Sequence, residues 1–571
     1  MLSRGIVGLP LWDYGQKNPL DLEYAKVDPD FYRRELDTKL EKFRHYLLAL
    51  EMQQEAHYQS ESNRSWSKLD LFALGNFRSF LASNRFWAIH TKNHDVDITE
   101  FENELTRAWS VREACGAIDF AFRMNADAVT IHPGIYNLNS GRFWPKHEDA
   151  LTITNQRRVI FTKSLTELLD HFVQQAVRLE QQIERYQEKM GWVVAELRGL
   201  LHWLTENFSD EKQRHQSLAD IFQLIQKHQV PIAIVRFCKN PEKGLHLALE
   251  NVEPPNFLAC TPRQMAAWHH RMTEIYAEAC DRHRLPDAVH ARYRPMMVLD
   301  PNHMLNAKVI LTQPSNRGIA HIFEDFDDLY LPFVNLPCDM PLGASGRAVE
   351  PLLNRFVREN HDHILYAHLA GSAKMDNYMT THDPVTSFRT KMFMQTDAGG
   401  SPTLKYATGA FDPEKELNLE EVVQVVGLDR IWVLEVFDCP DELLMSSWIH
   451  TDEYLRYLAA EYRRNHEKVR LALVVHQQAA VHGSPSPEEN AHRVWEAGRV
   501  LKELEDARFY IRPHRKAREL WKAGYDEAAF YVHDPRWSKG ETASPVDIFA
   551  TVKDATGKIW IRGLEATPRS V

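Results

Sequence analysis

The sequence predicts an α/β fold, a (β/α)8 TIM barrel carrying a long helical insertion and a C-terminal appendage, and three observations support that class. Short apolar runs alternate with stretches whose apolar residues recur every three or four positions, which is the pattern of strands alternating with helices and hence of a parallel sheet. Eight such runs can be counted, enough to close a barrel whose strands are buried on both faces. Six of them end in Asp, Glu or His: "RFWAIHTKNH", "ADAVTIHPGIYN", "KGLHLALENVEPP", "RPMMVLDPNH", "DHILYAHLAGSAK" and "IWVLEVF".

In chain order, "GIVGL" near Ile6 and "LDLFAL" near Leu71 are read as the first two strands, and "DFYRRELDTKLEKFRHYLLALE" between them as helix. "FWAIH", "DAVTIH", "LHLALE", "PMMVLD", "HILYAH" and "IWVLE" supply the other six, and end at His90, His132, Glu250, Asp300, His368 and Glu435. "CTPRQMAAWHHRMTEIYAEAC" carries a helical period after the fifth strand. Between Ser164 and Gln229 the apolar residues Leu165, Leu168, Leu169, Phe172, Ala176, Leu179, Ile183 and Leu197 hold helical spacing for longer than a barrel helix usually runs. Residues 164–229 are therefore read as a helical insertion, a long helix packed on another, and as a candidate lid or oligomer contact. The barrel is assigned to 1–163 and 230–483. Residues 484–571 form the appendage, in which "HGSPSPEENAH" reads as a linker with a helix start and "VDIFATVKDATGKIWIRGLE" as a hairpin around Ala555 to Gly557.

Composition narrows the function classes. With 571 residues, 44% hydrophobic and 26% charged, the chain is an ordinary globular protein rather than a disordered or fibrous one. A formal charge of −11 argues against tight electrostatic binding of nucleic acid, although a local basic cleft stays open. The six cysteines are scattered without a CxxC pair, so neither a disulfide framework nor a thiolate zinc knuckle is expected, and a reduced, cytoplasmic compartment fits best. No apolar run approaches the ~18 residues of a membrane span, and the N-terminal run is too short for a signal peptide.

The strand-end residues carry the chemistry. In a (β/α)8 barrel the C-terminal ends of the strands converge on one face, so side chains far apart in sequence meet there. For any single histidine, one of 28 in the chain, an ordinary hydrogen-bonded role is the simpler reading. Recurrence at one structural position argues otherwise. Three carboxylates beside three imidazoles at one mouth repel each other unless a divalent cation joins them, and mixed His and carboxylate ligands without thiolate suit zinc, manganese or cobalt. A shared carboxylate can bridge a second ion, and His303, three residues after Asp300, reaches the same face.

The ordered set "IHTKNH", "IHPGIYN", "LALENVEP", "VLDPNH", "AHLAGSAK" and "VLEVF" resembles the xylose-isomerase-like TIM barrel superfamily, which contains sugar isomerases and epimerases, inosose dehydratases and endonuclease IV-type enzymes. The resemblance runs from about Arg85 to Asp438. It implies a central metal held by Glu250, Asp300, His368 and Glu435. His90 and His132 match positions that bind a further metal in the endonuclease-like branch, and His303 matches a ligand or substrate contact. After His368 the family commonly continues to an Asp-x-His pair, whereas here Asp376 is followed by Tyr378 at that spacing and His382 comes later. A complete third-metal site is therefore not expected, and Lys374, Asp376 and His382 are assigned to substrate.

The expected function is a divalent-metal-dependent isomerase, epimerase or related lyase acting on a sugar or other small polyhydroxy compound, with Glu250 and Glu435 moving the proton on opposite faces of the substrate. One alternative is a metal-dependent phosphodiesterase of the endonuclease IV type. The other is a barrel that binds without catalysing. A homo-oligomer formed through the helical insertion is the expected assembly.

Overall fold

The computed structural model describes residues 6–10, 49–53, 86–91, 96–124, 126–134, 150–206, 211–242, 244–253, 258–314, 329–334, 350–371, 375–376, 379–380, 382, 385, 392–396, 402–406, 416–427, 430–436, 447–449, 451–452 and 455, with strands at 511–513, 528–532, 549–553 and 559–562. Eight parallel strands close into a barrel: β1 (Ile6–Pro10), β2 (Ala49–Gln53), β3 (Phe86–His90), β4 (Ala128–Ile131), β5 (His246–Glu250), β6 (Met296–Leu299), β7 (Ile364–Leu369) and β8 (Ile431–Leu434). The order around the barrel follows the chain, and β1 pairs with both β2 and β8 to close it. The fold is the (β/α)8 barrel that the sequence predicts.

One strand lies elsewhere than the sequence suggests. β2 occupies Ala49–Gln53, the tail of the segment read as helix, while the run near Leu71 lies outside the described residues and the barrel closes without it. The physical reason is that a five-residue apolar run at the end of a helical period carries too few residues to show its own period of two.

That period of two positions the site. Phe86, Ala88, Ala128, Ala248, Met296, Val298, Tyr366 and Val433 form a cluster of their own inside the barrel, whereas Trp87, Ile89, Val129, Leu247, Leu249, Met297, Leu299, Trp432 and Leu434 belong to the outer core beneath the helices. Because side chains alternate along a strand, the residue two positions after an inward one also points inward. Ala88 thus leads to His90, Thr130 to His132, Ala248 to Glu250, Val298 to Asp300, Tyr366 to His368 and Val433 to Glu435. The inner cluster is the floor of the mouth, and its buried hydroxyls satisfy each other through a hydrogen bond between Thr130 Oγ1 and Tyr366 OH.

The described helices include α1 (Glu104–Met124), α2 (Ala150–Glu206), α3 (Glu211–His228), α4 (Ile232–Lys239), α5 (Pro262–His283) and α6 (Pro301–Thr312). α2 starts ahead of the segment read as an insertion and is interrupted at Met190, whose φ of −132° and ψ of 31° are not helical. It packs against α1, α3, α4 and α5, and Leu165, Leu168, Leu169 and Phe172 are fully buried in the outer core. Arg107 on α1 fastens it by donating to Ser164 Oγ at 3.0 Å and Glu167 Oε1 at 2.9 Å. α5 begins with a capping box, in which Thr261 and Gln264 satisfy each other's backbone N–H groups and Pro262 follows at the first helical position.

Toward the C-terminus, Phe549–Lys553 pairs antiparallel with Ile559–Arg562, the pairing expected of the hairpin read around Ala555 to Gly557. With Ile511–Pro513 and Ala528–Val532 these strands form a four-stranded antiparallel sheet. Among the described residues no helix is long and apolar enough to cross a membrane.

Candidate metal centre

The six strand-end residues do meet, together with His303 and His382, and all eight are buried. Glu250, the last residue of β5, stands at the middle. Its Oε2 lies 2.8 Å from His90 Nε2 and 2.8 Å from His132 Nε2, and its Oε1 lies 2.8 Å from His368 Nδ1. His368 Nδ1 is also 2.9 Å from Glu435 Oε2, at an angle that makes no hydrogen bond. His382 Nε2 lies 3.0 Å from Asp300 Oδ2 and 3.3 Å from Glu435 Oε2.

Asp300 and His303 owe their placement to the start of α6. In "DPNH" the aspartate is the N-cap, the proline takes the first helical position, and the histidine one turn in is carried back over the cap. Asp300 Oδ1 accepts from the backbone N–H groups of Asn302 at 2.6 Å and His303 at 3.3 Å, which leaves Oδ2 to face His382 and His303. Asn251 locks this end of β6 to β5: it accepts from Asp300 N at 2.7 Å and donates to Asp300 O at 2.7 Å.

These side chains form three overlapping groups whose ligand atoms lie within 4.8 Å of one another. The first is His90, His132 and Glu250; the second is Glu250, Asp300, His368 and Glu435; the third is Asp300, His303, His382 and Glu435. Glu250 is shared by the first two, and Asp300 and Glu435 by the last two. A further group joins Glu51 with His90 and His368.

Hydrogen bonding tests whether a cation fits. His90 Nδ1 faces the Thr91 carbonyl at 2.6 Å and must donate to it, so a neutral ring turns the Nε2 lone pair toward Glu250 Oε2. His303 repeats this: Nδ1 donates to Asn251 O at 3.0 Å, and Nε2 faces Glu253 Oε2 at 3.3 Å and Asp300 Oδ2 at 3.5 Å. Acceptor faces acceptor in both cases, an arrangement that a proton or a metal ion must relieve. Among the described residues both Glu435 oxygens and His132 Nδ1 have no hydrogen-bond partner. Ligand atoms around a zinc ion with bonds of about 2.0–2.1 Å stand roughly 3.3 Å apart in a tetrahedron, and the contacts here run from 2.8 to 3.6 Å. The donor set fits divalent metal.

Without metal the site is a network of ion pairs. Burial opposes charge on Glu250 and Glu435, yet His368 with His132, and His368 with His382, hold the two carboxyls well below the usual range. Burial likewise opposes charge on His303, but the Asp300, Glu253 and Glu250 carboxylates outweigh it and lift the ring to about 9. His132 goes the other way, because its burial outweighs Glu250.

No family model matches the chain, and no curated protein does. Solved structures do. The chain is similar to a 3-keto-D-glucoside 4-epimerase from E. coli (9% identity, 80% of this chain and 100% of that one covered, TM-score 0.32), to a xylose isomerase domain protein from Planctomyces limnophilus (10%, 80% and 98%, 0.30) and to SacUVDE (10%, 79% and 99%, 0.29).

Of the residues assigned to substrate, His382 instead stands among the candidate ligands. Lys374 and the side chain of Asp376 lie outside the described residues. Glu51, Asn251 and Glu253 escaped the sequence reading. Glu51 ends the apolar run "YLLALE" but lies in the middle of β2, in register with Ala88 of β3, and the helical reading of that run concealed it.

Proposed function

We propose that the protein is a divalent-metal-dependent hydrolase of phosphodiesters with a polynuclear centre at the barrel mouth. The observation that carries this reading is the sharing of Glu250, Asp300 and Glu435 among three ligand groups, since a single ion needs only one group and ions held side by side need bridging carboxylates. His382 supports this reading, because it completes the third group. When bound, such ions stabilise charge on phosphoryl oxygens and make a nucleophile of water near neutral pH. The chain's part is orientation. Thr91 O and Asn251 O fix the rings of His90 and His303 by accepting from Nδ1, and the helix cap holds one oxygen of Asp300 so that the other faces the centre.

A second reading, metal-dependent isomerisation or epimerisation of a small polyhydroxy compound, is supported by the group of Glu250, Asp300, His368 and Glu435, which is sufficient for one ion with two flanking carboxylates. The test is a comparison of zinc-loaded and manganese-loaded protein on bis(p-nitrophenyl) phosphate, on duplex and nicked DNA, and on a panel of ketoses. Metal-dependent cleavage of a phosphodiester without ketose turnover is the expected result. Ketose turnover without phosphodiester cleavage overturns the first reading in favour of the second.

A further inference from the structure

Glu51 is fully buried at the mouth, and its hydrogen bond among the described residues is to His368 Nε2, with Oε2 at 3.0 Å and Oε1 at 3.3 Å. The opposite nitrogen of the same ring, Nδ1, faces Glu250 Oε1 at 2.8 Å and Glu435 Oε2 at 2.9 Å. A neutral imidazole has one N–H. A carboxylate accepts only, so whichever nitrogen carries the hydrogen decides which carboxylates the ring serves. Glu51 also lies near His90, with which it forms the fourth candidate ligand group.

We infer that Glu51 is a positioning residue: it accepts the Nε2–H of His368 and so presents the Nδ1 lone pair to an ion held by Glu250, Asp300 and Glu435. The inference rests on the metal-centre reading above. Two features of the geometry favour an outer role over direct ligation. Glu51 approaches His368 with both oxygens on the side of the ring away from Glu250 and Glu435, and its nearest nitrogen is Nε2 rather than Nδ1. His90, the other histidine of the group, directs Nδ1 to Thr91 O at 2.6 Å and Nε2 to Glu250 Oε2 at 2.8 Å. A carboxylate this deeply buried is costly unless it meets a positive partner. A metal-bound imidazole whose N–H points at it is such a partner, and outer carboxylates of this kind commonly set the ring orientation and basicity of metal-binding histidines.

The test uses the full chain, stripped with chelator and titrated with Zn²⁺ against a chromogenic competitor, with circular dichroism to verify folding. Glu51→Ala is expected to leave the number of zinc ions unchanged and to weaken the affected one by about 10–100-fold, the usual effect of removing an outer-shell partner. Glu51→Gln retains an acceptor oxygen, so it should weaken that ion less than Glu51→Ala, and it remains informative if the alanine variant does not fold. In a His368→Ala background, Glu51→Ala should cause a much smaller further loss of affinity, because the hydrogen bond through which Glu51 orients that ring is gone. Loss of a whole zinc equivalent in Glu51→Gln would make Glu51 a ligand and overturn the inference. Unchanged affinity in both single variants, or equal losses in the two backgrounds, would also overturn it while leaving the metal centre intact. Wild-type protein that takes up no zinc would remove the centre itself.

Discussion

Replacing Asp300 by Asn separates the two tasks its oxygens perform. Oδ1 caps α6 through Asn302 N and His303 N, and Oδ2 faces His382 at 3.0 Å and His303 at 3.5 Å. Asn caps a helix as well as Asp does, whereas Ala loses about 1 kcal/mol at that position. Both changes remove the buried charge opposite His382, which costs roughly 3–5 kcal/mol in the metal-free protein. The metal-free Asn and Ala variants should therefore unfold in guanidinium with free energies about 1 kcal/mol apart, both well below wild type. Zinc content should fall further than one ligand suggests, because Asp300 is shared by two groups. The Asn variant is expected to keep only the ion of His90, His132 and Glu250, counted by mass spectrometry of the metal after dialysis. Wild-type zinc content in Asp300→Asn would refute the sharing, and equal stability of the two variants would refute the cap.

Three other outcomes are expected. Gly134 has φ of +109°, and a Cβ there would collide with Asp97 Oδ1, an oxygen already held by Thr99 N at 2.8 Å and Thr99 Oγ1 at 2.6 Å. Gly134→Ala should thus lower stability by about 3 kcal/mol, and a loss below about 1 kcal/mol in denaturant unfolding would show that the loop after His132 yields. His269 is pushed down to about 4 by burial and by His363 stacked on it at 4.0 Å, while its ring donates to Pro295 O. Its folded value lies below the unfolded one, so its stabilising share is present above pH 6.5 and is lost as pH falls from 6.5 toward 4; His269→Gln should flatten the stability profile over that window by up to about 3 kcal/mol, and parallel profiles would contradict this. Glu435→Gln keeps one oxygen donor but removes the basic carboxylate, so under the isomerase reading turnover should drop by about 10²-fold or more. Full turnover on the true substrate would eliminate that reading.

Much of this architecture is legible in the sequence because one rule governs it. Seven of the eight barrel strands lie where short apolar runs place them, and in six of these the inward parity carries through to a polar residue at the mouth, so reading the strand end reads the site. The rule fails at β2 for the same reason that it hides Glu51. Tyr46, Leu47, Leu48 and Leu50 continue a helical spacing from the preceding segment, and five residues cannot display a competing period. His382 was legible as a polar residue near the site but not as a candidate ligand, since its position depends on how the chain returns after β7 rather than on strand parity. Asn251 and Glu253 lie one and three residues after Glu250, yet their contacts with Asp300 and His303 arise from the pairing of β5 with β6 and from the start of α6, which spacing along one segment does not reveal. The reach of α2 beyond Ser164 toward Ala150 shows a related limit, because "ITNQRRVIF" is too polar to extend the apolar stripe although it is helical.

The most direct measurement is diffraction from zinc-soaked crystals at the zinc absorption edge, which locates each ion independently of activity. More than one anomalous peak is expected at the barrel mouth, with Glu250 between the ion of His90 and His132 and the ion of His368, and with Asp300 and Glu435 between the latter and the ion of His303 and His382. A single peak among Glu250, Asp300, His368 and Glu435 would contradict the polynuclear centre and leave a one-metal isomerase site. No peak at the mouth, in crystals that bind zinc elsewhere, would contradict the metal centre altogether.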